Sequence, residues 1–95
     1  MNSFPMILGS GPNGAIIHYR AEEGSSSKLD PCNPILCDTG AQYLTGTTDT
    51  TRTFLFQEKK NNDHFYSHLK EMYTRVLLGN LDLQTAKFPY RTYGN

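Results

Sequence analysis

Between Ile35 and Phe56 the chain has few folding options. Ile35-Leu36-Cys37 is an apolar run closed by Asp38. Asp49, eleven positions further on, opens the run Thr50-Thr51-Arg52-Thr53-Phe54-Leu55-Phe56, and Gly46 lies between the two aspartates. β-Branched and aromatic residues bounded by a glycine-containing connection predict two antiparallel strands, joined by a turn near Leu44–Thr47, with an Asp on each. Opposed positions across such a pair are close enough for two carboxylates to share a site. Carboxylates held together repel and need a metal ion or a shared proton to join them. From spacing alone both answers stand, beside a plainer one in which Asp38 caps a turn and Asp49 pairs with Arg52 on the surface.

The rest of the chain supplies little to pack against this hairpin. Phe4-Pro5-Met6-Ile7-Leu8 reads as a strand. Gly9-Ser10-Gly11-Pro12-Asn13-Gly14 is a turn-rich loop, and Ala15-Ile16-Ile17-His18-Tyr19 a short apolar strand ending in a histidine. Residues 21–34 are polar, with Ser and Pro, and form a surface loop in which only Glu22–Lys28 is biased enough to be disordered. From about Asn61 the period changes. Phe65, Leu69, Met72, Tyr73, Val76 and Leu77 recur at steps of three and four, predicting an amphipathic helix. Asp63 is placed to cap it or to complement its dipole. Gly79-Asn80 is a candidate early break, and Pro89 lies at or past the end. The order strand, loop, strand, hairpin, helix predicts an α+β fold. The helix face calls for a larger sheet than these few strands provide, so the chain reads as part of a domain.

Composition removes several function classes. Ninety-five residues make at most one small domain. Nine basic and nine acidic residues give a formal charge of zero with no run of either sign, so neither nucleic acid nor an anionic membrane is an expected partner. No stretch approaches the roughly 20 apolar residues of a membrane span. Residues 1–10 lack the pattern of a signal peptide, and the expectation is a cytoplasmic chain. Cys32 and Cys37 fit neither a redox pair nor half of a zinc site, and are read as two unlinked thiols with Cys37 packed on a strand.

Four ordered blocks then point one way. Ser3-Phe4-Pro5, the run Ser10-Gly11-Pro12-Asn13-Gly14-Ala15-Ile16-Ile17-His18-Tyr19, the run Leu36-Cys37-Asp38-Thr39-Gly40-Ala41-Gln42-Tyr43 and the run Gly46-Thr47-Thr48-Asp49-Thr50-Thr51-Arg52-Thr53 closely resemble the catalytic domain of cytosolic Xaa-Pro aminopeptidases, pita-bread metallopeptidases. Phe88-Pro89 fits more loosely. The resemblance covers nearly the whole chain and is strongest over residues 3–56. It implies an N-terminal portion of a pita-bread domain at residues 1–95, from an enzyme releasing the N-terminal residue of peptides with proline second. It also implies two divalent ions, usually manganese. Asp38 would be a bidentate ligand of one ion and Asp49 the carboxylate bridging both, in keeping with the taste of hard cations for carboxylate oxygen. His18 would hydrogen-bond the substrate near the scissile bond, and Arg52 would orient a carboxylate from behind. A homodimer formed through the full-length protein is a further implication.

The same resemblance marks what is missing. The family's remaining ligands, one His in a His-Gly-x-Gly-His stretch and two Glu, do not occur here. His64 and His68 stand at helical i, i+4 spacing, but Phe65 replaces the glutamate that the zinc-peptidase motif requires, and both are read as solvated or capping. With two of five ligands, the isolated chain is expected to bind metal weakly and to hydrolyse nothing. Its unpaired strand edges and uncovered helix face favour self-association or dependence on a partner. Two rival functions are weighed. Asp38-Thr39-Gly40 is also the signature of retroviral-type aspartic proteases, in which two carboxylates share a proton, but no flap hairpin follows and a helix stands where strands should. Pita-bread domains also serve as non-catalytic binding modules, although such modules usually lose the metal-ligand residues retained here.

Overall fold

The computed structural model describes residues 1–24 and 26–94, and divides into two units, Met1–Lys59 and the segment from Lys60 onward. The first unit holds a three-stranded antiparallel sheet in the order β1-β2-β3, with β1 at Ile7–Ser10, β2 at Ile35–Thr39 and β3 at Thr50–Phe54. The predicted hairpin is β2–β3, in one unbroken register from Ile35↔Phe54 to Thr39↔Thr50 and on to the bridge Gln42↔Thr47. Its turn closes where expected, with the Tyr43 amide donating to the Gly46 carbonyl at 2.8 Å.

The first strand is displaced from its sequence reading: it runs over Ile7–Ser10 rather than Phe4–Leu8. Its pairing with β2 accounts for the shift. Ile7 opposes Asp38, whereas Asn2 bridges Ala41, so five steps on one strand meet three on the other. Two extra residues must leave the ladder, and Phe4, Pro5 and Met6 form the resulting bulge. Pro5, with no N–H to donate, suits a segment that has left the ladder. Gly40 lies under it. A Cβ there would overlap Ser3 Oγ, the Thr48 carbonyl and the Phe4 ring, so only glycine fits.

The second predicted strand, residues 15–19, does not form. A 3-10 helix occupies Gly11–Ala15, and a turn follows in which the Tyr19 amide donates to the Ile16 carbonyl at 3.2 Å. The apolar pair Ile16-Ile17 suggests a strand, yet both side chains are exposed. The 3-10 helix lies against β1 because Gly9 has no side chain; a Cβ there would sit 2.7 Å from the Asn13 carbonyl oxygen.

Among the described residues of 21–34 no regular element forms; Ser25, within the Glu22–Lys28 stretch, lies outside the described residues. The end of this loop is tied down. Asp30 accepts from the Cys32 amide at 2.9 Å, and Cys32 is buried. Cys32, Ile35 and Ser10 make a small core at one end of the sheet, where Ser10 and Ile35 are paired. No disulfide joins the two cysteines, and Cys37 is half-buried on β2 as expected.

The second unit is α1, Asp63–Thr85. Asn62 holds the N-cap position without a side-chain bond, so Asp63 is a first-turn dipole partner rather than the cap. Gly79-Asn80 does not break the helix, since one glycine costs only about 1 kcal/mol in a helix interior. Pro89 lies past its end. Tyr66 is the helix's buried residue, while Tyr73, Val76, Leu78 and Leu83 are each at least half exposed. The apolar stripe is thus largely in solvent, the uncovered helix face expected from the sequence. No helix among the described residues is long and apolar enough to cross a membrane.

Candidate metal centre

Three segments remote in sequence line one cleft of about 340 Å³ in the first unit. The bulge contributes Phe4, Pro5 and Met6, with Ile7 beside them; the turn after the 3-10 helix contributes His18, Tyr19 and Arg20; the hairpin contributes Asp38 and Asp49. The two expected metal ligands, Asp38 and Asp49, and the expected substrate residue His18 therefore line one cleft.

The hairpin register fixes how the carboxylates are related. Asp38 opposes Thr51, and the same register sets Asp49, one residue before β3, opposite Gly40. Positions 38, 49 and 51 therefore share a face, with the two aspartates as diagonal neighbours about 7–8 Å apart along the backbone. They are not directly opposed, and Asp49 precedes its strand rather than lying on it. Arg52 opposes Cys37, on the other face. Its guanidinium donates to the Thr51 carbonyl at 2.7 Å. The expectation that Arg52 orients one of these carboxylates fails for that reason: period-two alternation turns it away.

Asp38 is half-buried, and its Oδ1 is buried with no hydrogen-bond partner. A buried carboxylate oxygen without a partner is costly and calls for an explanation. A cation in the cleft provides one, and two hard oxygen donors on a single face suit a divalent ion. The donor set fits as part of a site rather than as a whole one. Among the described residues, no group of three or more His, Cys, Asp or Glu side chains is placed to hold a metal. His18 lines the cleft but does not complete such a group. His64 and His68 lie one turn apart on α1, both exposed.

His18 is placed by an unusual backbone. Its φ is +57°, in the third position of the turn closed by Ile16 and Tyr19. Glycine or asparagine ordinarily fills that position when φ is positive. Sequence reading missed the other contributors. Tyr19 and Arg20 follow His18 directly, but nothing in their spacing marks them. Phe4 and Met6 reach the cleft only through the bulge.

The whole chain, residues 1–95, matches Metallopeptidase family M24. The chain belongs to this family. M24 domains have the pita-bread fold, and three antiparallel strands with one long helix are compatible with part of such a domain. M24 proteins are metallopeptidases, so divalent metal use is a family property and the aspartic-protease reading of Asp38-Thr39-Gly40 falls away. The chain is 49% identical over 92 residues to a protein of Phaeosphaeria nodorum named "Probable Xaa-Pro aminopeptidase P", covering 97% of the chain and 13% of that relative. Proteins of the same name from Coccidioides posadasii and Aspergillus niger are 50% and 49% identical over 92 residues, again covering 97% of the chain and 14% of each relative. The chain thus spans about one-seventh of the length of the curated relatives it matches. No solved structure matches it.

Proposed function

We propose that this M24 segment supplies Asp38 and Asp49 as metal ligands, and His18 as a substrate residue, to a two-metal aminopeptidase that releases the residue preceding a proline. The observation that carries the reading is the meeting of these three side chains in one cleft, where Asp38 presents a buried oxygen with no partner. The names of the fungal relatives supply the substrate class. Manganese is the proposed metal, the cytoplasm the proposed compartment, and residues 1–95 the proposed N-terminal portion of a pita-bread domain. A homodimer would form through the full-length protein.

The chemistry divides simply. When bound, a pair of divalent cations supplies a nucleophile at neutral pH and polarises the scissile carbonyl. Asp38 would hold one side of that pair from a half-buried position where water competes less. Asp49, exposed one residue before β3, would supply the second carboxylate. His18 donates a hydrogen bond to the substrate near the reacting carbonyl, stabilising charge as it develops. Phe4 and Met6 present an apolar wall that limits water around the peptide.

The test is a chimera: the Aspergillus niger relative with its 92 aligned residues replaced by those of this chain. Manganese-dependent cleavage of an Xaa-Pro peptide, lost in Asp38→Ala and Asp49→Ala, is expected. A chimera that folds but does not cleave favours the non-catalytic binding module. Metal-independent cleavage blocked by a pepstatin-type inhibitor would overturn the reading entirely.

A further inference from the structure

Two features around His18 lie outside the metal chemistry. One is its left-handed backbone, φ +57°, a conformation that costs a side chain such as imidazole about 1–2 kcal/mol. The other is a part-buried hydrogen bond in which Asn13 Nδ2 donates to Tyr19 Oη at 3.2 Å, spanning six residues and closing a ring around the turn. Asn13 is itself fixed at both ends. Its carbonyl accepts from the Ile16 amide at 3.2 Å, and its backbone sits against Gly9 where no Cβ would fit. Gly11, at the start of the same 3-10 helix, donates to the Pro34 carbonyl at 2.9 Å, tying it to the approach to β2. Asn13 is therefore anchored to the sheet, and Tyr19 is the far end of the turn that carries His18.

We propose that the Asn13–Tyr19 hydrogen bond is a clasp that holds His18 in its left-handed position in the cleft, making Asn13 and Tyr19 positioning residues. The turn's own Tyr19-to-Ile16 bond fixes its ends but does not select the sign of φ at the third position, because turns of either sign share that bond. Pinning the Tyr19 ring to Asn13 fixes the exit direction of the chain, and with it which sign is kept. The inference rests on the proposed function for why His18 must be held there. Its geometry can be tested without activity.

The primary experiment is proton–nitrogen NMR of the 95-residue chain, reading the strong intraresidue amide–Hα cross-peak that a positive φ produces at His18. Wild type is expected to show it. Tyr19→Phe, which removes one oxygen, and Asn13→Ala are expected to lose it. Asn13→Asp is expected to restore it, because its carboxylate can accept from the Tyr19 hydroxyl. Absence of the peak in wild type, or its retention in Tyr19→Phe, overturns the clasp. Where poor solubility of the chain prevents this, the chimera serves: Tyr19→Phe is expected to lower kcat about fivefold with KM unchanged, the effect of one ordinary hydrogen bond. An unaltered kcat, or an equal change in KM and melting temperature, overturns it. An inactive wild-type chimera with the NMR pattern intact would instead remove the proposed function and leave the clasp standing.

Discussion

The two units are held together by different physics. In residues 1–59 the bonds that matter join segments far apart in sequence. Met1 and Ser3 pair with Gln42 and Gly40, Gly11 with Pro34, and Gln57 with Pro31. In α1, by contrast, side-chain bonds join neighbouring turns. Arg75 meets Glu71 at 2.6 Å and Gln84 meets Asn80 at 2.6 Å, each one helical turn apart. The first unit buries few side chains but converges on a cleft. The second leaves most of its apolar side chains in solvent, with Val76 75% exposed. A helix of 23 residues can persist on local bonds, whereas a site made from three segments cannot form without its sheet. The candidate site therefore lies in the unit with the longer-range connections.

That contrast can be attacked at several points. The largest effect is expected at the metal ligands: Asp49→Ala in the chimera should cut manganese-dependent turnover by more than about 100-fold, since even outer partners of a metal site are worth 10–100-fold. The 95-residue chain alone should show no turnover, and activity from it would mean that another copy supplies the missing ligands. Next come the sheet positions. Ile35→Ala, at the buried pair with Ser10, should destabilise the first unit by about 2–5 kcal/mol in urea unfolding. Gly40→Ala should cost about 1–3 kcal/mol by overpacking, and should perturb the cleft through Phe4 and Ser3. Neither change should reduce the helical circular dichroism of α1 in proportion. The smallest effects belong to the helix. Gly79→Ala, with open space around the new methyl, should stabilise α1 by about 0.8–1 kcal/mol and leave catalysis untouched. A catalytic change from Gly79→Ala would break the separation of roles.

The legible parts of the molecule are those governed by local patterning. The run from Thr50 to Phe54 could hardly be other than a strand, and the three-and-four spacing from Phe65 to Leu77 specified a helix. Asp38, Asp49 and His18 were found through motif blocks, and they do share a cleft. What stayed hidden depends on pairing between distant segments. The bulge at Phe4–Met6 exists only because Asn2 and Ile7 pair with Ala41 and Asp38, three residues apart, which no local signal marks. Ile16-Ile17 looked like a strand, but a positive φ at His18 turns the chain instead. Arg52 was placed behind the carboxylates because sequence distance was weighed without face, and alternation moved it to the far side. At α1 the two roles left open for Asp63 resolve to the dipole one, since Asn62 holds the N-cap position.

The most direct measurement is anomalous diffraction at the manganese edge from crystals of the chimera. Two peaks are expected in the cleft, with Asp38 contacting one ion and Asp49 lying between both. Manganese bound elsewhere, with neither aspartate within ligand distance of a peak, would contradict the assignment of this hairpin as a metal-binding element.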